Sequence, residues 1–214
     1  MDPALSDLLT CPRCGPTYGL ILLPTERRGL RVVSGLLACA NCRERYRVEG
    51  EVADLRSGAV GGGGDAGMTH EPGRAAAPAP DREAAIRLAA LMGIAEARGT
   101  VLLAGPAAAH AALLGELVPG VSVVAVGGGG GGGEGGGASW VRLTTVLPFR
   151  DRSLRGVALT GGRAGLVEEG ARVLGLEGQL VLEPAPADAR TRVEAAGLTV
   201  LAEEGGTLVA GRRR

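Results

Sequence analysis

The residues best suited to chemistry are four cysteines, which fall in two Cys-x-x-Cys pairs, Cys11/Cys14 and Cys39/Cys42. Zinc prefers thiolate ligands, and two such pairs on two tight turns supply the four that a tetrahedral ion needs. Free thiol pairs or a thioredoxin-type redox pair are the alternatives, although a redox pair gives no reason for a second copy. We predict one zinc ion per chain, and a structural one, because four thiolates leave no coordination position for water or substrate.

Composition limits the partners that the protein can have. The 214 residues include 23 basic and 23 acidic side chains, so the formal net charge is zero, which excludes a strongly basic domain bound to nucleic acid by bulk electrostatics. Hydrophobic residues make up 45% of the chain and aromatic residues 2%, so the core must be aliphatic. The sequence has no apolar run of about 18 residues, the length of a membrane helix. We therefore expect a soluble, cytoplasmic protein without a membrane partner.

The chain divides into three segments by composition. Residues 1–56 carry the cysteines, and residues 57–80 are rich in Gly and Pro with almost no large apolar side chain. Such a stretch buries too little surface to offset its ordering entropy, so we predict a flexible linker there. Residues 81–214 alternate between helical and strand periods, with a polyglycine loop at 127–137.

The third segment predicts an α/β fold. Asp81 is a helix cap and Gly99 the expected end of that helix. The other predicted helices are Ala107–Val118, Ala164–Leu174 and Ala187–Ala196, and the predicted strands are Thr100–Ala104, Val121–Val126, Ser139–Leu143, Arg155–Thr160, Gln179–Glu183, Leu198–Ala202 and Thr207–Ala210. Strands that alternate with helices form a mainly parallel sheet, and the closing pair is a hairpin. We expect a Rossmann-like open sheet with an antiparallel hairpin at its carboxyl end.

The first segment contains two stretches with a recognisable pattern, LLTCPRCG at 8–15 and LACANCRERYRVEG at 37–50. An apolar lead into Cys-Pro-x-Cys and a later Cys-x-x-Cys, followed by an aromatic residue and a short apolar strand, resemble the Trm112 family of small zinc ribbons. The resemblance implies a zinc ribbon over residues 1–56. It also implies a protein partner, because members of that family stabilise and activate methyltransferases that act on RNA or protein.

The third segment carries LPFRDRSLRGV at 147–157 and EEGARVLGLEGQLVL at 168–182. These stretches, with AAGL at 195–198 and the closing hairpin, resemble the class I methyltransferases of the type 11 group, which use S-adenosylmethionine (SAM). The resemblance covers residues 81–212 and implies a SAM site in the loop after the first strand.

That loop is degenerate here. It reads LAGPAAA at 103–109 and keeps only Gly105 of the acidic-x-Gly-x-Gly-x-Gly pattern, whose glycines let the backbone approach the cofactor. The second strand ends at Val126 and runs into polyglycine, with no carboxylate for the ribose hydroxyls. The fourth strand ends at Thr160 without an acid or amide. Gly105 is thus the one cofactor-binding candidate, we assign no catalytic residue, and we do not expect SAM to bind.

Three hypotheses follow for the whole chain. The first is a non-catalytic protein, a zinc ribbon with a pseudo-methyltransferase domain, that binds or scaffolds a macromolecular partner such as a methyltransferase. The second is an active methyltransferase whose ribbon is a built-in activator. The third is an RNA- or ribosome-associated ribbon that uses Arg43, Arg45, Arg47 and the tail Arg212–Arg214. The oligomeric state and the docking of the two units stay open at this stage.

Overall fold

A computed structural model describes residues 1–56, 79–96, 98–127, 137–143 and 146–212. The linker predicted at 57–80 and the polyglycine loop predicted at 127–137 lie almost wholly outside these residues. The described residues form a sheet of 12 strands in the order β1-β2-β3-β4-β5-β8-β7-β6-β9-β10-β12-β11. The strands are β1 (Thr10–Cys11), β2 (Gly15–Arg28), β3 (Arg31–Cys39), β4 (Arg45–Glu49), β5 (Val52–Asp54), β6 (Gly99–Ala104), β7 (Val121–Val126), β8 (Ser139–Arg142), β9 (Leu154–Thr160), β10 (Leu174–Glu183), β11 (Thr199–Glu204) and β12 (Thr207–Gly211).

The helices are α1 (Arg82–Leu91), α2 (Ala111–Leu117), α3 (Val167–Val173) and α4 (Ala189–Ala195), with short 3-10 helices at Pro3–Asp7, Gly105–His110 and Gly161–Arg163. Asp81 caps α1 as predicted, since its carboxylate accepts the N–H groups of Glu83 and Ala84. The predicted end at Gly99 is wrong, because the chain leaves the helix at Gly93, whose φ is +60°. Met92 and Ile94 continue the helical apolar pattern in the sequence, but Met92 lies in the turn after the helix and Ile94 beyond it, and both are buried.

The strands from β6 to β10 give the sheet its class. β8, β7, β6, β9 and β10 are mutually parallel, and β12 pairs with β10 in antiparallel fashion and carries β11 outside it. The order reverses between β6 and β9, as at the switch point of a doubly wound sheet. The prediction of an α/β, Rossmann-like, mainly parallel sheet with a closing antiparallel hairpin is therefore confirmed.

The cysteine-bearing segment continues this sheet. β5 pairs in parallel with β8, with Val52 beside Trp140 and Ala53 beside Val141. A second junction places Leu9 opposite Phe149 in an isolated antiparallel bridge. Side chains of both segments share one buried cluster that includes Leu9, Tyr46, Leu55, Leu143, Leu147 and Phe149. The two segments are thus docked on each other through backbone pairing and a common core.

Two layers cover the faces of the parallel part of the sheet. Residues of α1 and α2, among them Leu88 and Leu114, pack into one cluster on one face. Residues of α3 and α4, among them Val167 and Val193, pack into the other cluster, which also holds the ribbon core. Among the described helices, none is long and apolar enough to span a bilayer.

Candidate metal centre and ligand crevice

The four cysteines meet at one end of the ribbon. Their sulfur atoms all lie within 4.8 Å of one another. Cys11 Sγ is 3.7 Å from Cys42 Sγ, and Cys14 Sγ is 3.9 Å from Cys39 Sγ. Ligands at about 2.3 Å from a tetrahedral zinc ion are about 3.8 Å apart, so this arrangement fits the ion. All four cysteines are free thiols, as such a site requires.

The local sequence explains how two turns hold the four sulfurs. The chain leaves each turn through a residue in the left-handed region, Gly15 with φ +89° and Arg43 with φ +62°. In the second turn the N–H of Arg43 donates to the carbonyl of Cys39 at 3.0 Å. The N–H of Cys39 then donates to the carbonyl of Glu44 at 2.9 Å, which closes the turn. The second Cys-x-x-Cys pair is thereby held in a compact, hydrogen-bonded loop.

The side chains of Tyr46 and Asn41 contact two of the sulfurs. The hydroxyl of Tyr46 lies 3.4 Å from Cys11 Sγ, and Nδ2 of Asn41 donates to Cys14 Sγ at 3.4 Å. Burial raises the pKa of Tyr46 well above its usual range, and the hydrogen bond with Cys11 raises it further. The phenol therefore stays protonated and is available as a donor to a thiolate. Nothing in the spacing of the residues shows where the hydroxyl of Tyr46 points, so this contact could not be predicted from the sequence.

The second candidate region is the switch point outside the carboxyl ends of β6 and β9, where doubly wound sheets bind their ligands. Gly105 follows β6 with φ +80°, and a Cβ there would lie 2.1 Å from the carbonyl oxygen of Thr160. A Cβ on Gly161 would lie 2.9 Å from Cδ of Pro106. The two loops are therefore in direct contact, and Gly105 is required by the approach of Thr160.

The side chain of Thr160 also forms hydrogen bonds with the backbone of the loop after β6. Its hydroxyl accepts the N–H of Ala107 at 2.9 Å and donates to the carbonyl of Ala104 at 2.8 Å. The side chains of Ala107 and Ala108 are buried. The sequence analysis missed this role of Thr160, because it depends on β6 and β9 being neighbours in the sheet.

These residues do not fit SAM well. The amide of Ala107 is already bonded within the protein, and Pro106 has no N–H to offer. Where the structure describes the end of β7, Val126 is followed by Gly127 and no carboxylate is present. Glu134, the nearest acid in the sequence, falls outside the described residues. We derive no chemical step through SAM for this chain.

The adjacent carboxylates Glu168 and Glu169 point in different directions, as their helical positions predict. Glu168 pairs with Arg192 on α4. Glu169 accepts the N–H of Leu147 at 3.0 Å and two hydrogen bonds from Arg172 at 2.9 and 3.0 Å. Burial alone raises the pKa of Glu169, but the hydrogen bonds from Arg172 and Leu147 outweigh it, so the pKa lies below its ordinary value. Glu169 is thus ionised near neutral pH, where its carboxylate holds Leu147 and Arg172.

Arg172 completes this arrangement from α3. Its guanidinium donates to the carbonyl of Leu147 at 2.7 Å and to the carbonyl of Phe149 at 2.8 Å. It also reaches the carboxylate of Asp151 at 2.7 Å. Arg172 and Glu169 together fix the segment 147–151, which carries the contact with the ribbon.

Neither a protein-family model nor a curated protein matches this chain. Among solved structures, similarity is found to a candidate sarcosine dimethylglycine methyltransferase from Galdieria sulphuraria, with 14% identity, a TM-score of 0.46 and coverage of 56% of this chain and 62% of that one. The antibiotic-resistance methyltransferase Kmr gives 15% identity, a TM-score of 0.42 and coverage of 59% and 90%. Precorrin-6y C5,15-methyltransferase from Geobacter metallireducens has 16% identity and a TM-score of 0.39, with coverage of 58% of this chain and 87% of that one. The chain thus spans about three fifths of the first of these proteins, and at such TM-scores the matches identify no substrate or site here.

Proposed function

We propose that this protein is a non-catalytic binding or scaffolding component, built from a zinc ribbon and a methyltransferase-like sheet. The observation that carries the proposal is the contact between the loops after β6 and β9. The hydroxyl of Thr160 accepts the N–H of Ala107, and Gly105 lies against the carbonyl of Thr160 with no room for a side chain. The two loops that flank the nucleotide in a doubly wound sheet are therefore bonded to each other here.

The four cysteines would hold zinc as a structural ion. Four thiolates complete a tetrahedral shell, so the ion would hold the two turns together and would take no part in catalysis. Binding to thiolates contributes free energy to folding, since the sites of an unfolded chain are not preorganised. The ion would therefore stabilise the folded ribbon, which is joined to the parallel sheet.

The position of the ribbon bears on the choice of partner. Its last strand, β5, is paired with β8 of the same chain, so that edge is not open to a strand from another protein. This internal docking is also what the alternative requires, an active methyltransferase with a built-in ribbon. The residues at 103–109 favour the non-catalytic function, because they lack the acid, the amide of Ala107 is bonded to Thr160 and Pro106 has no N–H.

The experiment that tests this proposal is calorimetric titration of the zinc-loaded protein with SAM and with S-adenosylhomocysteine. We expect no saturable heat up to millimolar ligand, while an established SAM-dependent methyltransferase in the same buffer gives a normal isotherm. Zinc content and circular dichroism establish that the protein is loaded and folded. Saturable binding at micromolar ligand would overturn the proposal and require a screen for a methyl acceptor.

A further inference from the structure

One face of the sheet is covered by helices over the parallel strands and carries exposed side chains over the ribbon. The register places Arg142 beside Asp54, Asp54 beside Arg47, and Arg47 beside Leu36, so these side chains lie on a common face. This is the same face that α1 and α2 cover further along, because Trp140, two residues before Arg142, packs in their cluster. Over β2 to β4, among the residues that the structure describes, this face carries exposed side chains on its two outer strands.

The open part of this face consists of three columns on three neighbouring strands. β2 contributes Ile21 and Leu23, which are 53% and 48% exposed. β3 contributes the half-buried Ala38 and Leu36, and β4 contributes the exposed Arg45 and Arg47. The register aligns Ile21, Ala38 and Arg45 in one row and Leu23, Leu36 and Arg47 in the next. We call these six residues the outer ribbon face.

The outer ribbon face is aliphatic on one side and cationic on the other. Arg47 makes an exposed ion pair with Glu49 at 3.3 Å, which is worth at most about 1 kcal/mol and is easily exchanged. Asp54, which lies beside Arg47 in the register, is held by Arg56. A partner with carboxylates opposite β4 and aliphatic side chains opposite β2 would therefore be complementary in both charge and polarity.

The dimensions favour a helix as the partner element. Neighbouring strands are about 4.8 Å apart, so the columns on β2 and β4 are separated by about 10 Å. An α-helix with its side chains is about 10 Å across, and it packs on a sheet along the strands. Single-stranded RNA would require stacking platforms, and the six residues of this face are aliphatic or Arg.

We infer that the outer ribbon face binds an acidic amphipathic α-helix of a partner protein, with its apolar stripe on β2 and β3 and its acids against Arg45 and Arg47. The bound helix would extend the layer that α1 and α2 begin on this face. The inference rests on the proposed binding role and names the class of partner, but it does not depend on the state of the SAM region.

The test uses zinc-loaded full-length protein and a fluorescent, capped peptide of about 18 residues. The peptide has an Ala-rich background, Leu at every third or fourth position and Glu along one flank, to favour an amphipathic helix. We expect saturable anisotropy with a Kd in the range of about 10 to 100 μM, weakened by salt. A peptide with Lys in place of Glu should bind at least tenfold more weakly.

Matched variants locate the site. The double variants Ile21→Ser/Leu23→Ser and Arg45→Glu/Arg47→Glu should each lose at least tenfold in affinity. Ile86→Ser and Arg82→Glu, exposed on α1, serve as controls and should bind like the wild type. Equal loss in the controls, absence of peptide binding, or an oligomer in light scattering that buries Ile21 and Leu23 would each overturn the inference. So would tighter binding of a labelled single-stranded RNA through Arg45 and Arg47. Because SAM titration is a separate measurement, failure here is distinguishable from failure of the proposed function.

Discussion

Thr10 donates its backbone N–H to the carbonyl of Pro148 at 2.8 Å, directly before the first cysteine. The N–H of Arg150 donates to the carbonyl of Leu8 at 2.9 Å. Leu9 and Phe149 lie between these two hydrogen bonds, and both are fully buried. The first cysteine turn is thus joined to the segment 147–151, which Arg172 and Glu169 hold against α3. The cysteine cluster and the parallel sheet should therefore respond together to mutation.

Phe149→Ala tests this link from the side of the sheet. Removing a fully buried ring should reduce the free energy of unfolding by about 3 to 5 kcal/mol. It should also speed the loss of zinc to a chelator, because the bridge that supports Cys11 is weakened. Chemical denaturation and the rate of zinc release measure the two effects. Val146→Ala, at an exposed position close by, is the control. Normal zinc release in a destabilised Phe149→Ala variant would contradict the link.

Arg172→Met should be costly for a different reason. It removes the donors to Leu147 and Phe149 and leaves the carboxylate of Glu169 half-buried without its cation. We expect a loss of about 2 to 4 kcal/mol in urea denaturation. Arg190→Met, which breaks an exposed pair with Glu203, should cost at most about 1 kcal/mol. Equal costs for the two variants would show that the Arg172 contacts are unimportant.

The depressed pKa of Glu169 predicts a pH dependence. A carboxyl group whose pKa is lower in the folded than in the unfolded state stabilises the fold above the unfolded pKa of about 4.3. The contribution is lost as pH falls through the folded pKa. The stability difference between the wild type and Glu169→Gln should therefore be largest near pH 7 and shrink below about pH 4. Denaturation of both proteins from pH 7 to pH 3 measures it, and a difference independent of pH would refute the assignment.

Loss of one thiolate tests the metal. The purified wild type should contain one zinc ion per chain, and Cys39→Ser should retain much less, with a thermal midpoint lower by many degrees, because metal binding contributes to folding. Elemental analysis and scanning calorimetry give both quantities. Ser34→Ala on the same strand is the control. Zinc far below one equivalent, together with unchanged stability of Cys39→Ser, would show that the four cysteines hold no structural metal.

Tyr46→Phe tests the hydroxyl beside Cys11. The substitution keeps the buried ring and deletes one hydrogen bond to a ligand sulfur. Outer partners of ligands typically contribute a factor of about 10 to 100 in metal affinity. Competition with a chromophoric chelator should show a loss of this order, with global stability lower by about 1 kcal/mol. An unchanged affinity would mean that the phenol packs near Cys11 without supporting it.

The parallel sheet could be predicted from the sequence because its strands are short runs of Val, Leu and Ala between turn residues. Val121–Val126 was placed correctly at both ends. The predicted end of α1 was wrong. Met92 and Ile94, on either side of Gly93, continue the apolar periodicity of the helix, so the sequence pattern points past Gly93 to Gly99. Which glycine stops the helix is decided by the packing of those two side chains against the sheet.

The cluster of Cys11, Cys14, Cys39 and Cys42 was equally predictable, since their spacing carries the geometry of two turns. The contacts that matter elsewhere join residues far apart in the chain. Thr160 reaches Ala107 because β9 lies beside β6, and β5 meets β8 at a sheet edge. No local pattern contains these pairings, so they could not be derived from residue types and spacing.

The pairing of β5 with β8 has a consequence for biosynthesis. β5 ends at Asp54 and β8 begins at Ser139, so the ribbon leaves the ribosome long before its neighbouring strand exists. Long-range parallel pairing is slow to form, and an open strand edge can pair with other chains in the meantime. A zinc ion bound at the two early turns would hold the ribbon strands in register during that interval. Early metal loading would therefore protect the nascent chain against aggregation.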